Sequence, residues 1–219
     1  MKLFYYDWPG YAEMTRLALH AGGVAFEDER FPEAAWPTVR KTVPNGRVPL
    51  LTLDDGTVIS EYVAVLRHAG RIGTPALYPA DARAAALVDE ATSVACRMAK
   101  DVEVIYKTPV EQQVAAGKAA LAADAELGME LAWLNASAAK AASGHVVGDG
   151  LTIVDCIVKT VLWWLTETCG EGAFASVLAP YPALAKTIAV TSAVPAIAAY
   201  QATPTAVRAM QIASQTKRV

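Results

Sequence analysis

Trp36-Pro37-Thr38-Val39-Arg40-Lys41-Thr42-Val43-Pro44-Asn45-Gly46-Arg47-Val48-Pro49-Leu50-Leu51-Thr52-Leu53, continued by Asp54-Asp55-Gly56-Thr57-Val58-Ile59-Ser60-Glu61-Tyr62, decides how the rest of the chain is read. Pro44 and Asn45-Gly46 punctuate a loop, Val48 to Leu53 is a short apolar run, and Asp55-Gly56 is a hairpin signal before Val58 and Ile59. The order is therefore loop, strand, tight turn, strand, helix. Pro49 stands at the entrance of the first strand, where a missing N–H disturbs the ladder least. A Val48-Pro49 bond in the cis form would turn the Val48 amide and carbonyl away from the sheet, toward a peptide-like ligand.

Upstream, Lys2 to Tyr6 reads as a strand and Asp7-Trp8-Pro9-Gly10 as a turn. Met14, Leu17, Ala18 and Ala21 then share one face of a helix that Gly22-Gly23 stops. Val24 to Phe31 reads as a second strand, and a helix from Glu61 to about Arg71 follows the hairpin, with Tyr62, Val65, Leu66 and Ala69 on one face. The result is a thioredoxin-like βαβ-ββα unit. Such units place their chemistry where the first strand meets the first helix, here Tyr5-Tyr6-Asp7-Trp8-Pro9-Gly10-Tyr11-Ala12-Glu13. With no Cys-x-x-Cys and no serine, what remains is tyrosine hydroxyl. A phenol, with a pKa of about 10, is a neutral donor at neutral pH, and donation to the sulfur of a bound thiol favours the nucleophilic thiolate. Strand alternation sends Tyr5 and Tyr6 to opposite faces, so either is the candidate on this ground alone.

Beyond Gly73-Thr74-Pro75 and Tyr78-Pro79 the chain reads as helix. Asp81 is the expected N-cap of a stripe formed by Leu87, Ala91, Val94, Ala95, Met98, Val102 and Ile105, ending at Pro109. An alanine-rich helix is expected over Val110 to Ala142. Gly148-Asp149-Gly150-Leu151-Thr152-Ile153-Val154-Asp155 contains a capping-box variant, Thr152-x-x-Asp155, opening an apolar helix, and Tyr181-Pro182 and Val194-Pro195 each place proline in a first helical turn.

The net charge of -3 and pI near 5.6 argue against nucleic acid or an anionic membrane as the main partner. Every long apolar run is interrupted before about 18 residues, for example by Asp155 and Lys159, and Met1 to Asp7 is too short an apolar run for a signal peptide. Cytoplasm is the expected location. Cys96, Cys156 and Cys169 read as reduced core thiols, and His20, His68 and His145 lack ligand-spaced neighbours, so no metal is assigned.

The order of elements, with Val48-Pro49, the Asp55-Gly56 hairpin and the tyrosine-first motif Tyr5-Tyr6-Asp7…Gly10-x-Ala12-Glu13, resembles the cytosolic glutathione transferases, tyrosine type, in the sigma, alpha, mu and pi group. Gly148-Asp149…Thr152…Asp155 is similar to the buried-helix signature of their second domain, so the resemblance spans nearly the whole chain. It implies a thioredoxin-like glutathione-binding domain over 1–78 and an all-α domain over 79–219. It makes Tyr5 the catalytic phenol. It implies Trp36 and Arg40 at the glycine carboxylate of glutathione, and places Arg47 in the glutathione site where many members carry glutamine. Val48 would present its backbone, before Pro49, to the cysteinyl unit. Glu61 and Tyr62 would meet the γ-glutamyl end, Tyr62 replacing the usual serine or threonine. Trp8, Tyr11 and Tyr106 are the candidate surface for a small hydrophobic electrophile. In several members an acid from the partner subunit reaches the site; here Arg97 falls near that position, with Asp101 one turn on. The implied activity is conjugation of glutathione as co-substrate, by a homodimer without another cofactor. Alternatives are a non-catalytic ligand-binding or structural relative, and a sigma-type isomerase.

Overall fold

The computed structural model describes residues 1–169, 173–174 and 176–215. Their contacts form two compact units, Met1–Leu77 with the described residues from Pro195 onward, and Tyr78–Val194.

The first unit is built on a four-stranded sheet of order β2-β1-β3-β4. β1 (Lys2–Tyr6) runs parallel to β2 (Glu27–Phe31) and antiparallel to β3 (Leu50–Thr52), and β3 pairs antiparallel with β4 (Val58–Ser60). Alternation along β1 buries Leu3 and Tyr5 and leaves Lys2, Phe4 and Tyr6 half-buried. Leu3, Tyr5 and Leu51 pack with Ala12 of α1 (Gly10–Ala21) and Val65 of α3 (Tyr62–Ile72) into the core of this unit. β2 starts at Glu27, later than the expected Val24, because the Val24 N–H is engaged by the Leu19 carbonyl in closing α1 (2.9 Å). Gly23 permits that turn with φ of +65°.

The connection from β2 passes through a short helix α2 (Trp36–Val39) to the turn at Asn45 and Gly46, with φ of 54° and 57°. Val48-Pro49 is cis, and β3 begins only at Leu50, so Val48 lies outside the ladder. Gly56, at φ 85°, forms the hairpin tip, with the Thr57 N–H donating to the Asp55 carboxylate (2.8 Å).

The second unit is helical. α4 (Ala82–Lys107) is capped by Asp81, whose carboxylate accepts the Ala84 N–H at 2.8 Å. Its buried stripe is opened by Val88; Leu87, expected there, is 47% exposed. The helix expected over Val110 to Ala142 is two, α5 (Val110–Ala120) and α6 (Glu126–Lys140). Gly128 accommodates the turn between them: a Cβ on it would lie 2.1 Å from the Ala122 carbonyl oxygen, so the connecting segment packs onto α6 where a side chain is missing. α7 (Ile153–Thr168) runs through the middle of the unit against α4, and its capping box is formed as expected. Asp155, fully buried, accepts from the Thr152 N–H (2.7 Å) and hydroxyl (3.0 Å) and from the Val146 N–H (2.9 Å). Cys156 is a buried free thiol.

α8 (Pro182–Ser192) closes the helical unit, whereas α9 (Pro195–Gln201) packs on α1 in the first. A further helix, α10 (Pro204–Gln215), follows where none was expected; the Thr203 hydroxyl accepts the Ala206 N–H, the Thr-Pro start repeating the pattern of α8 and α9. Among the described residues no single helix is long and apolar enough to cross a membrane.

Candidate active site

At the end of β1 the two tyrosines have different surroundings. Tyr5 points to the side covered by α1, is 3% exposed, and its oxygen accepts the Tyr11 N–H at 3.2 Å. That N–H belongs to the first turn of α1, where backbone donors have no helical partner. Gly10, at φ +46°, brings the helix start against the phenol; a Cβ there would stand 2.5 Å from the hydroxyl. Tyr6, half-buried, meets the Tyr5 ring edge-on at 5.1 Å and joins an aromatic group with Phe31 (4.6 Å), Trp36 (5.3 Å) and Trp8 (6.0 Å between centroids). Burial and the carboxylate of Glu33 push the Tyr6 phenol up to about 12, with Arg40 opposing.

Around Tyr5 the structure brings together part of the expected set. Val48 and Tyr11 pack against the Tyr5 cluster, and the Tyr11 ring lies 4.6 Å from that of Tyr62. Pro49 is buried beneath them, in cis linkage to Val48. Trp36 is joined to the site through Tyr6 rather than Tyr5. Arg40 and Arg47 are exposed, Arg40 lying along Gly46 where a Cβ would meet its side chain at 3.3 Å. Glu61, also exposed, takes φ 71° and ψ 114°, a sparsely populated positive-φ conformation that costs a non-glycine residue about 1 to 3 kcal/mol. That backbone turn throws Tyr62 into the first turn of α3, toward Tyr11. Tyr106 belongs to the helical unit, its ring edge-on to Trp164 at 5.3 Å. Arg97 is engaged within its own unit, donating to Glu130 at 3.0 Å.

Arg16 escaped the sequence reading. It is fully buried on α1, and its guanidinium carbon sits 5.9 Å from the Tyr5 ring centroid, within reach of a cation–π contact. Nε reaches both oxygens of Asp28 at 3.1 Å, and Nη1 donates to the carbonyls of Trp8 and Pro9 at 3.2 Å and to Glu13 at 3.3 Å. Its sequence signal is an arginine three and four residues from buried Leu19 and Ala12, on the inner face of an apolar helix.

Comparison with known proteins agrees with this architecture. The model of the glutathione S-transferase N-terminal domain matches residues 10–72, and that of the C-terminal domain residues 100–204. Glutathione S-transferase 3 of Caenorhabditis elegans is 30% identical over 161 residues, which cover 72% of this chain and 76% of that one. The chain belongs to the glutathione S-transferase family. Some relatives align over less: Glutathione S-transferase 1 of Ascaris suum is 41% identical over 70 residues, 32% of this chain and 34% of its own, so the match spans about a third of that relative. Among solved structures, the sigma class enzyme of Fasciola hepatica superposes with a TM-score of 0.78 at 26% identity, covering 91% of this chain and 93% of that one. The family's fold, a thioredoxin-like four-stranded unit followed by a helical one, is the fold described above.

Proposed function

We propose that the protein is a glutathione transferase in which Tyr5 stabilises the thiolate of bound glutathione for attack on small hydrophobic electrophiles. The observation that carries the reading is the Tyr11 N–H to Tyr5 oxygen bond at the start of α1. A backbone donor on one lone pair orients the phenol and polarises its O–H, which keeps its proton and donates a hydrogen bond to the sulfur while the thiol proton leaves to solvent. The buried Arg16 charge beneath the ring acts in the same direction. Bound thiol then ionises below its solution pKa, each unit corresponding to about 1.4 kcal/mol. The thiolate attacks the electrophilic carbon, a carbon–sulfur bond forms, and the leaving group departs with the electron pair.

Residues 1–78 hold the tripeptide: Trp36 and Arg40 take its glycine carboxylate, Arg47 lies in the same glutathione site, Val48 pairs with the cysteinyl backbone ahead of Pro49, and Glu61 with Tyr62 receives the γ-glutamyl end. An arginine fork suits a carboxylate in two-point contact. Tyr11, half-buried against the Tyr5 cluster, and Trp8, half-buried beside Tyr6, offer apolar surface to the electrophile. We read the protein as a cytoplasmic homodimer; exposed Leu87, Met129 and Trp133 on the helical unit support a partner surface there.

The deciding experiment is a pH titration of the ultraviolet absorbance of glutathione thiolate on the purified protein, with turnover of an aryl halide. Tyr5→Phe is expected to raise the bound-thiol pKa by roughly one to two units and slow conjugation in proportion, with binding nearly intact. Tyr6→Phe is expected to change little. A damaging Tyr6→Phe with a silent Tyr5→Phe overturns the assignment, and binding without thiolate points to the non-catalytic ligand-binding relative.

A further inference from the structure

We propose that Tyr200 is a positioning residue of the thiol site, its hydroxyl acting through Glu13 and Arg16 on Tyr5. The proposal rests on the reading of Tyr5 as the thiolate-stabilising phenol. Tyr200 lies on α9, is 6% exposed, and donates its hydroxyl proton to Glu13 Oε2 at 3.0 Å. The same oxygen accepts from Arg16 Nη1, which also holds the carbonyls of Trp8 and Pro9. Those two carbonyls precede Gly10 and Tyr11, the residues in contact with the Tyr5 hydroxyl. A continuous set of contacts therefore runs from α9 to the phenol.

Glu13 competes with the two carbonyls for one nitrogen of a buried cation. The Tyr200 proton satisfies part of the carboxylate's charge, so Glu13 draws less on Arg16 and leaves more positive potential under the Tyr5 ring. Without the hydroxyl, Oε2 would depend on Arg16, the grip on the Trp8 and Pro9 carbonyls would weaken, and the bound thiol would become harder to ionise.

Tyr200 is itself held in place. Arg30 Nη2 donates to its oxygen at 3.4 Å while being anchored on Asp28 at 2.6 Å, and the His20 ring stacks on it at 4.3 Å. Burial keeps the His20 imidazole below its usual range, and burial beside Glu13 keeps the Tyr200 phenol protonated well above its own. The other charged groups facing the cluster are Asp7, 3.9 Å from Arg30, and Arg208 of α10, 3.6 Å from Asp7.

The test uses the full chain and the glutathione thiolate titration, on the wild type, Tyr200→Phe, and Ile197→Val as a control that loosens fully buried packing on the same helix without touching the hydroxyl. Tyr200→Phe is expected to raise the bound-thiol pKa by about half a unit, a threefold loss of thiolate below the pKa, while Ile197→Val leaves it unchanged. Glu13→Gln, which weakens the rival for Arg16, is expected to lower it, and in that background Tyr200→Phe adds nothing. A folded Tyr200→Phe with the wild-type pKa, or an equal shift in Ile197→Val, refutes the coupling while the Tyr5 reading stands. Should Tyr200→Phe not fold, an unchanged pKa in Glu13→Gln refutes it. A wild type that forms no thiolate overturns the Tyr5 reading, and this proposal with it.

Discussion

Gly10→Ala separates the role of the Tyr5 hydroxyl from ordinary packing, because the new methyl would enter the structure 2.5 Å from that oxygen and 2.8 Å from Cε1. Unstrained contact lies at roughly 3.5 Å, so ring and helix start must separate by about 1 Å. The Tyr11 N–H to Tyr5 bond, already 3.2 Å, would then stretch past the limit of a hydrogen bond. Two destabilising effects add: about 1 to 2 kcal/mol for alanine at φ +46°, and about 1 to 3 kcal/mol for overpacking beside a ring that is 3% exposed. A total near 3 kcal/mol corresponds to a fall in Tm of about 6 to 12 °C for a chain of this length. Gly23→Ala is the matched control, since at φ +65° it carries the backbone strain but meets only the Thr74 carbonyl oxygen, at 3.9 Å. Differential scanning calorimetry should show the larger loss in Gly10→Ala. The thiolate titration should show a raised bound-thiol pKa there and an unchanged one in Gly23→Ala. If Gly10→Ala is destabilised as expected yet ionises glutathione like the wild type, the geometry of the Tyr5 hydroxyl does not govern thiolate formation.

Asp155→Ala removes the acceptor of three buried donors, the Val146 N–H and the Thr152 N–H and hydroxyl, and should cost about 3 to 5 kcal/mol by chemical denaturation, with Asp155→Asn milder because one amide oxygen remains. Glu130, buried and near Asp101, has its carboxyl raised to about 7 by burial first and by Asp101 next, against the pull of Arg97. A carboxyl raised in the folded state contributes stability below its unfolded pKa and loses it as pH rises through the folded value. Glu130→Gln is therefore expected to be more stable than the wild type by about 1 to 3 kcal/mol at pH 8, the gap closing toward pH 5; a gap independent of pH would show that Glu130 does not titrate in that window.

The features legible in the sequence were those whose causes lie within a few residues. Asp55-Gly56 makes its own turn and Asp81 caps the helix three residues on; the cis Val48-Pro49 bond and the Thr152–Asp155 box are equally local. Tyr5 and Tyr6 could not be separated from strand period alone, because both faces of β1 carry aromatics; that the first turn of α1 lies against Tyr5 is visible only in the fold. The break between α5 and α6 was hidden for a related reason. The turn there packs its Ala122 carbonyl onto Gly128, a close approach that no helix propensity records. Least legible was the charge set beneath the phenol. Arg16 reads as surface until its partners are known, and one of them, Glu13, is itself held by Tyr200 from 187 residues away. A buried guanidinium is tolerated only where carboxylates and carbonyls converge on it, and here they come from α1, β2 and the turn ahead of α1. Local signals therefore specify the frame that places Tyr5, whereas the field acting on it depends on residues brought together only by folding. Related chains that keep the Tyr5 motif should for that reason differ in thiol acidity according to what they carry at positions 13, 16 and 200.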